Sequence, residues 1–97
     1  MGDYLQYLVE FMGTLIIVYA ILLTDTNPVI MGLVYFAVYT VAGDLSSGTF
    51  NPLGAIGYFM IGRLSLREMA FNLAAQIFAM QAAVISFMPI KAFIRDV

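Results

Sequence analysis

The chain has 97 residues, of which 63% are hydrophobic and only 10% charged, against about 25% charged in ordinary soluble domains, so water is not its main solvent. Cysteine and histidine are both absent, which removes disulfides, thiolate chemistry, imidazole bases and the commonest metal ligands; hydrolase triads and zinc sites are excluded, and no enzymatic activity, metal or cofactor is expected. A net charge of −2 with no basic run offers no footprint for nucleic acid and no polybasic lipid-binding patch.

The elements that follow define an all-α, multi-pass integral membrane protein; which membrane it enters is not written in the sequence. Tyr4 to Leu23 is apolar apart from Gln6, Glu10 and Thr14, close to the roughly 20 residues a helix needs to cross the hydrocarbon. Without a positive n-region, and followed by further spans, it reads as a retained helix and not a cleaved leader. Tyr4 and Tyr7 are placed to anchor its end at the interface. The turn-like Thr24-Asp25-Thr26-Asn27-Pro28 ends this span. A second apolar run, Val29 to Ala42, gives with its flanks a span over about 28–43, just long enough for a thin bilayer.

Gly43-Asp44-Leu45-Ser46-Ser47-Gly48-Thr49-Phe50 is a polar, Gly/Ser-rich loop, and the apolar piece Asn51 to Gly62 follows it. Twelve residues rise only about 18 Å as a helix, roughly half a bilayer. Asn51 is a preferred N-cap and Pro52 is preformed for the first helical position, so the helix start is fixed between loop and apolar run. With Arg63 and Arg67 behind it, the segment over about 44–62 reads as a re-entrant loop and half-helix. Irregular backbone at membrane depth is tolerated only beside protein or a water-filled cavity, which makes the loop a pointer to a pore.

Met69 to Met88 forms the third span, about 67–89 with its flanks; it carries Asn72, Gln76, Gln81 and Ser86, is closed by Pro89, and has Lys91 and Arg95 at the interface. Ala75, Ala79 and Ala83 recur every four residues, the small-residue pattern that lets membrane helices approach closely, either within the chain or along a dimer seam. Gly13, Gly32, Gly54 and Gly57 are expected to permit close packing in the same way. Asn72, Gln76 and Gln81 are expected to bond helix to helix or helix to loop.

Three spans place Arg63 and Arg67 on one side and Lys91 and Arg95 on the other, so the positive-inside rule gives almost no preferred orientation. The chain is expected to insert both ways. Two oppositely inserted copies supply the in-plane two-fold axis that an odd number of spans denies to one chain. Their short helices would meet N-terminus to N-terminus at the midplane, each with a partial positive charge. Two Asn51 amides would face a narrow passage that repels cations and offers donors to a neutral oxygen.

Ser46-Ser47-Gly48-Thr49-Phe50-Asn51-Pro52 resembles the Gly-rich Asn-Pro-Ala loop of the aquaporin, or major intrinsic protein, family. Glu10-Phe11-Met12-Gly13-Thr14 is similar to that family's first helix, and Ala75-Gln76 to its Ala-Gln pair, so the resemblance covers nearly the whole chain as half of an aquaporin-like fold. It implies a pore completed by an antiparallel homodimer, with a tetramer of such dimers as the larger assembly. By ungapped alignment from Gly32 to Asn51, Met31 takes the second-helix place of the selectivity filter and Tyr39 of the opposite copy the fifth-helix place. Gly48 takes the loop place, and Gly54 stands where the second half of the family carries its filter arginine. Leu53 replaces the family's Ala, and Thr49 stands where a His is frequent.

The resemblance gives Glu10 the task of accepting hydrogen bonds from the backbone of the re-entrant loop, with Thr14 and Gln76 supporting the same seam. The function it implies is a passive channel for water, and for glycerol or other small neutral solutes, with no cofactor. Two alternatives stand beside it. One is a dual-topology, proton-coupled small-solute transporter using Glu10, since an ionisable group inside a span is by default a functional candidate. The other is a non-conducting partner subunit of a full-length channel.

Overall fold

The computed structural model describes residues 2–95. Four helices account for most of them: α1 (Gly2–Thr24), α2 (Pro28–Ala42), α3 (Pro52–Met60) and α4 (Leu66–Arg95), with a single 3-10 turn at Gly43–Leu45 after α2. Three segments, Tyr4–Thr24, Pro28–Leu45 and Leu66–Ile94, are long and apolar enough to cross a membrane. The nine residues of α3 rise only about 13 Å.

The starts of α2, α3 and α4 each have a local chemical cause. Asn27 Oδ1 accepts from the backbone N–H groups of Val29 (3.1 Å) and Ile30 (3.2 Å), with Pro28 as first residue of α2. Asn51 repeats the device: its Oδ1 accepts from Leu53 (2.7 Å) and Gly54 (3.2 Å), and Pro52 opens α3. At the head of α4, Ser65 Oγ accepts from Glu68 N–H (3.1 Å) while Glu68 Oε1 accepts from Ser65 N–H (2.9 Å), a reciprocal capping box. Gly62, at φ 83°, lets Arg63 N–H return to the Tyr58 carbonyl (2.8 Å) and Gly62 N–H to Phe59 (3.1 Å), which closes α3 with a left-handed cap.

α1 and α4 run side by side in the same sense. Tyr7 stacks on Phe71 near their beginnings (5.2 Å between centroids), Gln76 Nε2 donates to Glu10 Oε1 farther along (2.9 Å), and Tyr19 and Ser86 hydroxyls are hydrogen-bonded toward their ends. α2 packs antiparallel on the other side of α1, and α3 packs on α4. Ile17, Val38 and Phe50 form the buried apolar centre, with Val9, Ile21, Met31, Val34, Tyr35 and Ala42 packed against them. Ala79 and Ala83 are fully buried, so the small-residue stripe of α4 serves packing inside the chain.

The structure departs from the sequence expectations at three places. The third span does not close at Pro89, because α4 continues through it to Arg95. Proline removes one N–H and costs a single intrahelical bond, while in an apolar setting every other backbone group still has to be paired internally. The glycine roles divide: a Cβ on Gly13 or Gly54 would crowd Phe50 or Thr49, whereas Gly32 and Gly57 have nothing within 4 Å of that position. Gln81 is exposed, and so makes no bond across the α1–α4 seam. The interfacial expectation for Arg95 concerns a side chain outside the described residues.

Candidate functional site

The polar core of the chain is assembled around Glu10, which is fully buried on α1. Its Oε2 accepts from Ser46 Oγ (2.6 Å), and its Oε1 accepts from Thr49 Oγ1 (3.0 Å), Phe50 N–H (2.9 Å) and Gln76 Nε2 (2.9 Å). Three of these four donors come from one loop, 46–50, and the fourth from α4. A carboxylate has only acceptors to offer, and every contact here supplies it with a donor. Burying that group unpaired would cost several kcal/mol, so the loop and α4 are held to Glu10 as much as Glu10 is held to them.

The remaining loop groups close the network. Gly48 N–H donates to Ser46 Oγ (3.1 Å), Asn72 Nδ2 to Ser47 Oγ (2.9 Å), and Gln76 Nε2 also to Thr49 Oγ1 (3.1 Å). Thr14 Oγ1 donates to the Phe50 carbonyl (3.3 Å) and Tyr39 OH to the Thr49 carbonyl (3.0 Å). Among the described residues, the Asn72 Oδ1 and Gln76 Oε1 atoms are buried acceptors with no partner.

Phe50 turns the chain into α3. It adopts φ 51°, a left-handed conformation that costs a non-glycine residue about 1–2 kcal/mol. Both of its backbone groups are held, by Glu10 and Thr14, and its ring lies on the bare face of Gly13, where a Cβ would come within 2.4 Å of Cε1. Gly48, at φ 75°, makes the preceding bend, and a Cβ there would stand 3.0 Å from the Gly43 carbonyl oxygen.

These contacts fix where α3 begins. Thr14 stands near the middle of α1, 12 residues after Gly2 and 10 before Thr24. Gln76 lies 10 residues after Leu66, about 15 Å along α4. α3, about 13 Å long, therefore starts at mid-height of the bundle and returns along α4 to the end at which α1 and α4 begin. Arg63 and Arg67 sit at that end, each laid over an aromatic ring, Tyr58 at 4.3 Å and Phe71 at 5.1 Å.

Most of the residues expected to matter converge here. Glu10, Thr14 and Gln76 hold the loop; Gly48 shapes it; Asn51 and Pro52 start α3; Gly54 packs against Thr49 Cβ. Asn51 spends Oδ1 on its own helix, and its Nδ2 has no partner among the described residues. Tyr39 is partly exposed and tied to the loop of its own chain. Met31 stands two turns earlier on α2 and packs toward the Ile17–Val38–Phe50 centre. Sequence reasoning missed Ser46 and Thr49 as partners of Glu10, Asn27 as the cap of α2, and the Tyr39–Thr49 bond; only Asn27 carried a readable signal, its own Asn-Pro dipeptide.

The class these observations define is an all-helical chain with three helices long enough and apolar enough to cross a membrane and a fourth, short one that starts at mid-height. No protein-family model matches the chain, and no curated protein and no solved structure matches it.

Proposed function

We propose that the chain forms half of a passive membrane channel of aquaporin type, conducting water and small neutral solutes such as glycerol. One observation carries the reading. The Glu10 carboxylate, bonded by Ser46, Thr49, Phe50 and Gln76, holds a non-helical loop at mid-height of α1, so that α3 begins there with its capped N-terminus and an unspent Asn51 amide. A partial positive charge and a donor at mid-membrane disfavour cations and suit a neutral oxygen.

The other wall of the passage is a second, oppositely inserted copy, whose Asn51 and α3 face the first across an in-plane two-fold axis. Met31, Tyr39, Gly48 and Gly54 belong to the constriction in this reading. Its narrow part lacks a fixed arginine, since Asn51-Pro52-Leu53-Gly54 contains none. The outward-facing Gln81 gives a polar point of contact between such dimers in a tetramer. Glu10 is fully buried and spends its oxygens on four donors, which favours a supporting role over proton coupling.

Stopped-flow light scattering on vesicles reconstituted with the chain tests the proposal. Osmotic shrinkage should exceed that of protein-free vesicles, should not depend on a pH gradient, and should fall with Asn51→Ala. Shrinkage at the lipid baseline would reject the channel. Solute uptake driven by a pH gradient and lost in Glu10→Gln would establish coupled transport in its place, and conduction restored only by a full-length partner would make the chain an accessory subunit.

A further inference from the structure

We infer that Tyr39 is a positioning residue for its own re-entrant loop: its hydroxyl aims the Thr49 carbonyl oxygen just ahead of α3. The transport part of this inference rests on the channel reading; the geometric part does not. Three consecutive carbonyls lead into α3, and each is engaged. The Asn51 oxygen accepts from Ala55 N–H (3.1 Å), the first bond of the helix. The Phe50 oxygen accepts from Thr14 Oγ1 (3.3 Å), inside the buried core. The Thr49 oxygen accepts from Tyr39 OH (3.0 Å), and this donor alone among the three comes from a side chain that is 41% exposed.

Tyr39 is held for the task from two sides. Its ring stacks on Tyr35, one turn back, at 6.0 Å and 19°, and meets the edge of Phe50 at 5.4 Å and 71°. Thr49 itself cannot turn its peptide freely, because its hydroxyl is committed to Glu10 and Gln76. A carbonyl oxygen has two lone pairs, so the Tyr39 bond uses one and fixes the direction of the other. That second lone pair is the acceptor a passing donor would meet two residues before Asn51. Donor and acceptor then stand side by side on the chain, the Asn51 amide N–H₂ and the Thr49 oxygen, which is what a solute with both functions needs.

Thr49-Phe50 is the chain's only Thr-Phe pair, so labelling with carbonyl-¹³C threonine and ¹⁵N phenylalanine isolates one carbonyl in a solid-state NMR spectrum of the protein in bilayers. Tyr39→Phe keeps the ring and removes the donor. The Thr49 carbonyl resonance should move upfield, Tyr35→Phe should leave it in place, and global 3,5-difluorotyrosine, a stronger donor, should move it downfield. The fluorinated protein keeps all its rings, so it decides the point even if Tyr39→Phe fails to insert. In vesicles, Tyr39→Phe should lower solute permeability roughly twofold to tenfold, the span that one neutral hydrogen bond is worth. A resonance unmoved by either change overturns the positioning role. A moved resonance with unchanged conduction overturns its part in transport. Wild-type vesicles that do not conduct would defeat the channel reading and the transport part with it, and the resonance would still decide the bond.

Discussion

Replacing Gly13 by alanine should be among the most damaging small changes in the chain. The added Cβ would stand 2.4 and 2.5 Å from Cε1 and Cδ1 of Phe50, and 3.2 Å from Val38 Cγ1. Carbon atoms prefer 3.5–4.0 Å, so the ring has to retreat by about 1 Å. It has little room to do so: Phe50 is 1% exposed, Glu10 and Thr14 hold its backbone, and Tyr39 lies against its edge. Overpacking a close-packed site costs about 1–3 kcal/mol, and with both partners fixed the cost should fall near 3. Reversible unfolding in mixed micelles, followed by circular dichroism, measures it. Phe50→Ala removes both atoms that clash, so the double variant should be more stable than the sum of the single losses, with a coupling of about 1–3 kcal/mol. A Gly13→Ala protein within about 0.5 kcal/mol of the wild type, or losses that simply add, would refute the placement of Phe50 on α1 and the loop geometry built on it.

Three further outcomes test other parts of the structure. Glu10→Gln keeps the shape but replaces one acceptor oxygen by an N–H₂ that faces a donor, so that at least one of the four bonds is lost and the rest become neutral, worth about 1 kcal/mol less each; the loss should reach about 4 kcal/mol in the same unfolding assay, and a loss under about 1 would mean the loop is held by something else. Ala83→Leu forces three carbons into a fully buried site on α4 and should cost about 1–3 kcal/mol, whereas Ile85→Ala, at a side chain 71% exposed, should stay within about 0.5. Reporter fusions after Val97, which lies outside the described residues, should give signal on both faces of the membrane; signal on one face alone would exclude an antiparallel pair of this chain.

How much of this was legible depended on whether the partners of a residue could be inferred from its own neighbours in the chain. Asn51-Pro52 announced a helix start because a cap bonds only two and three residues ahead, and the shortness of α3 followed from counting apolar positions. Glu10 and Thr14 could be attached to the loop only through the resemblance, and the polar Gln76 only as a general helix-to-helix or helix-to-loop bond, since Glu10 and Thr14 lie 36 and more residues from their loop partners and Gln76 27 beyond Thr49. The contact between Gly13 and Phe50 has no local signal, because a glycine in an apolar helix fits many neighbours equally well. Pro89 misled for a physical reason: proline is a reliable stop when water can take over the freed carbonyl, and a weak one where it cannot.

The two Asn-Pro caps of the chain show why the dipeptide alone does not make a functional loop. Asn27 and Asn51 both accept from the second and third residues ahead, each with a proline in the first helical position. Asn27 is exposed and follows a turn at Asp25 and Thr26, and its own N–H donates to the Thr24 carbonyl at the end of α1. Asn51 follows Ser46, Thr49 and Phe50, all bonded to Glu10, and so the same cap is carried to mid-height of the bundle. The cap sets the direction of a helix; the carboxylate behind it sets the depth. Any role α3 plays at the centre of a membrane is therefore decided at Glu10, 42 residues before the first residue of the helix it positions.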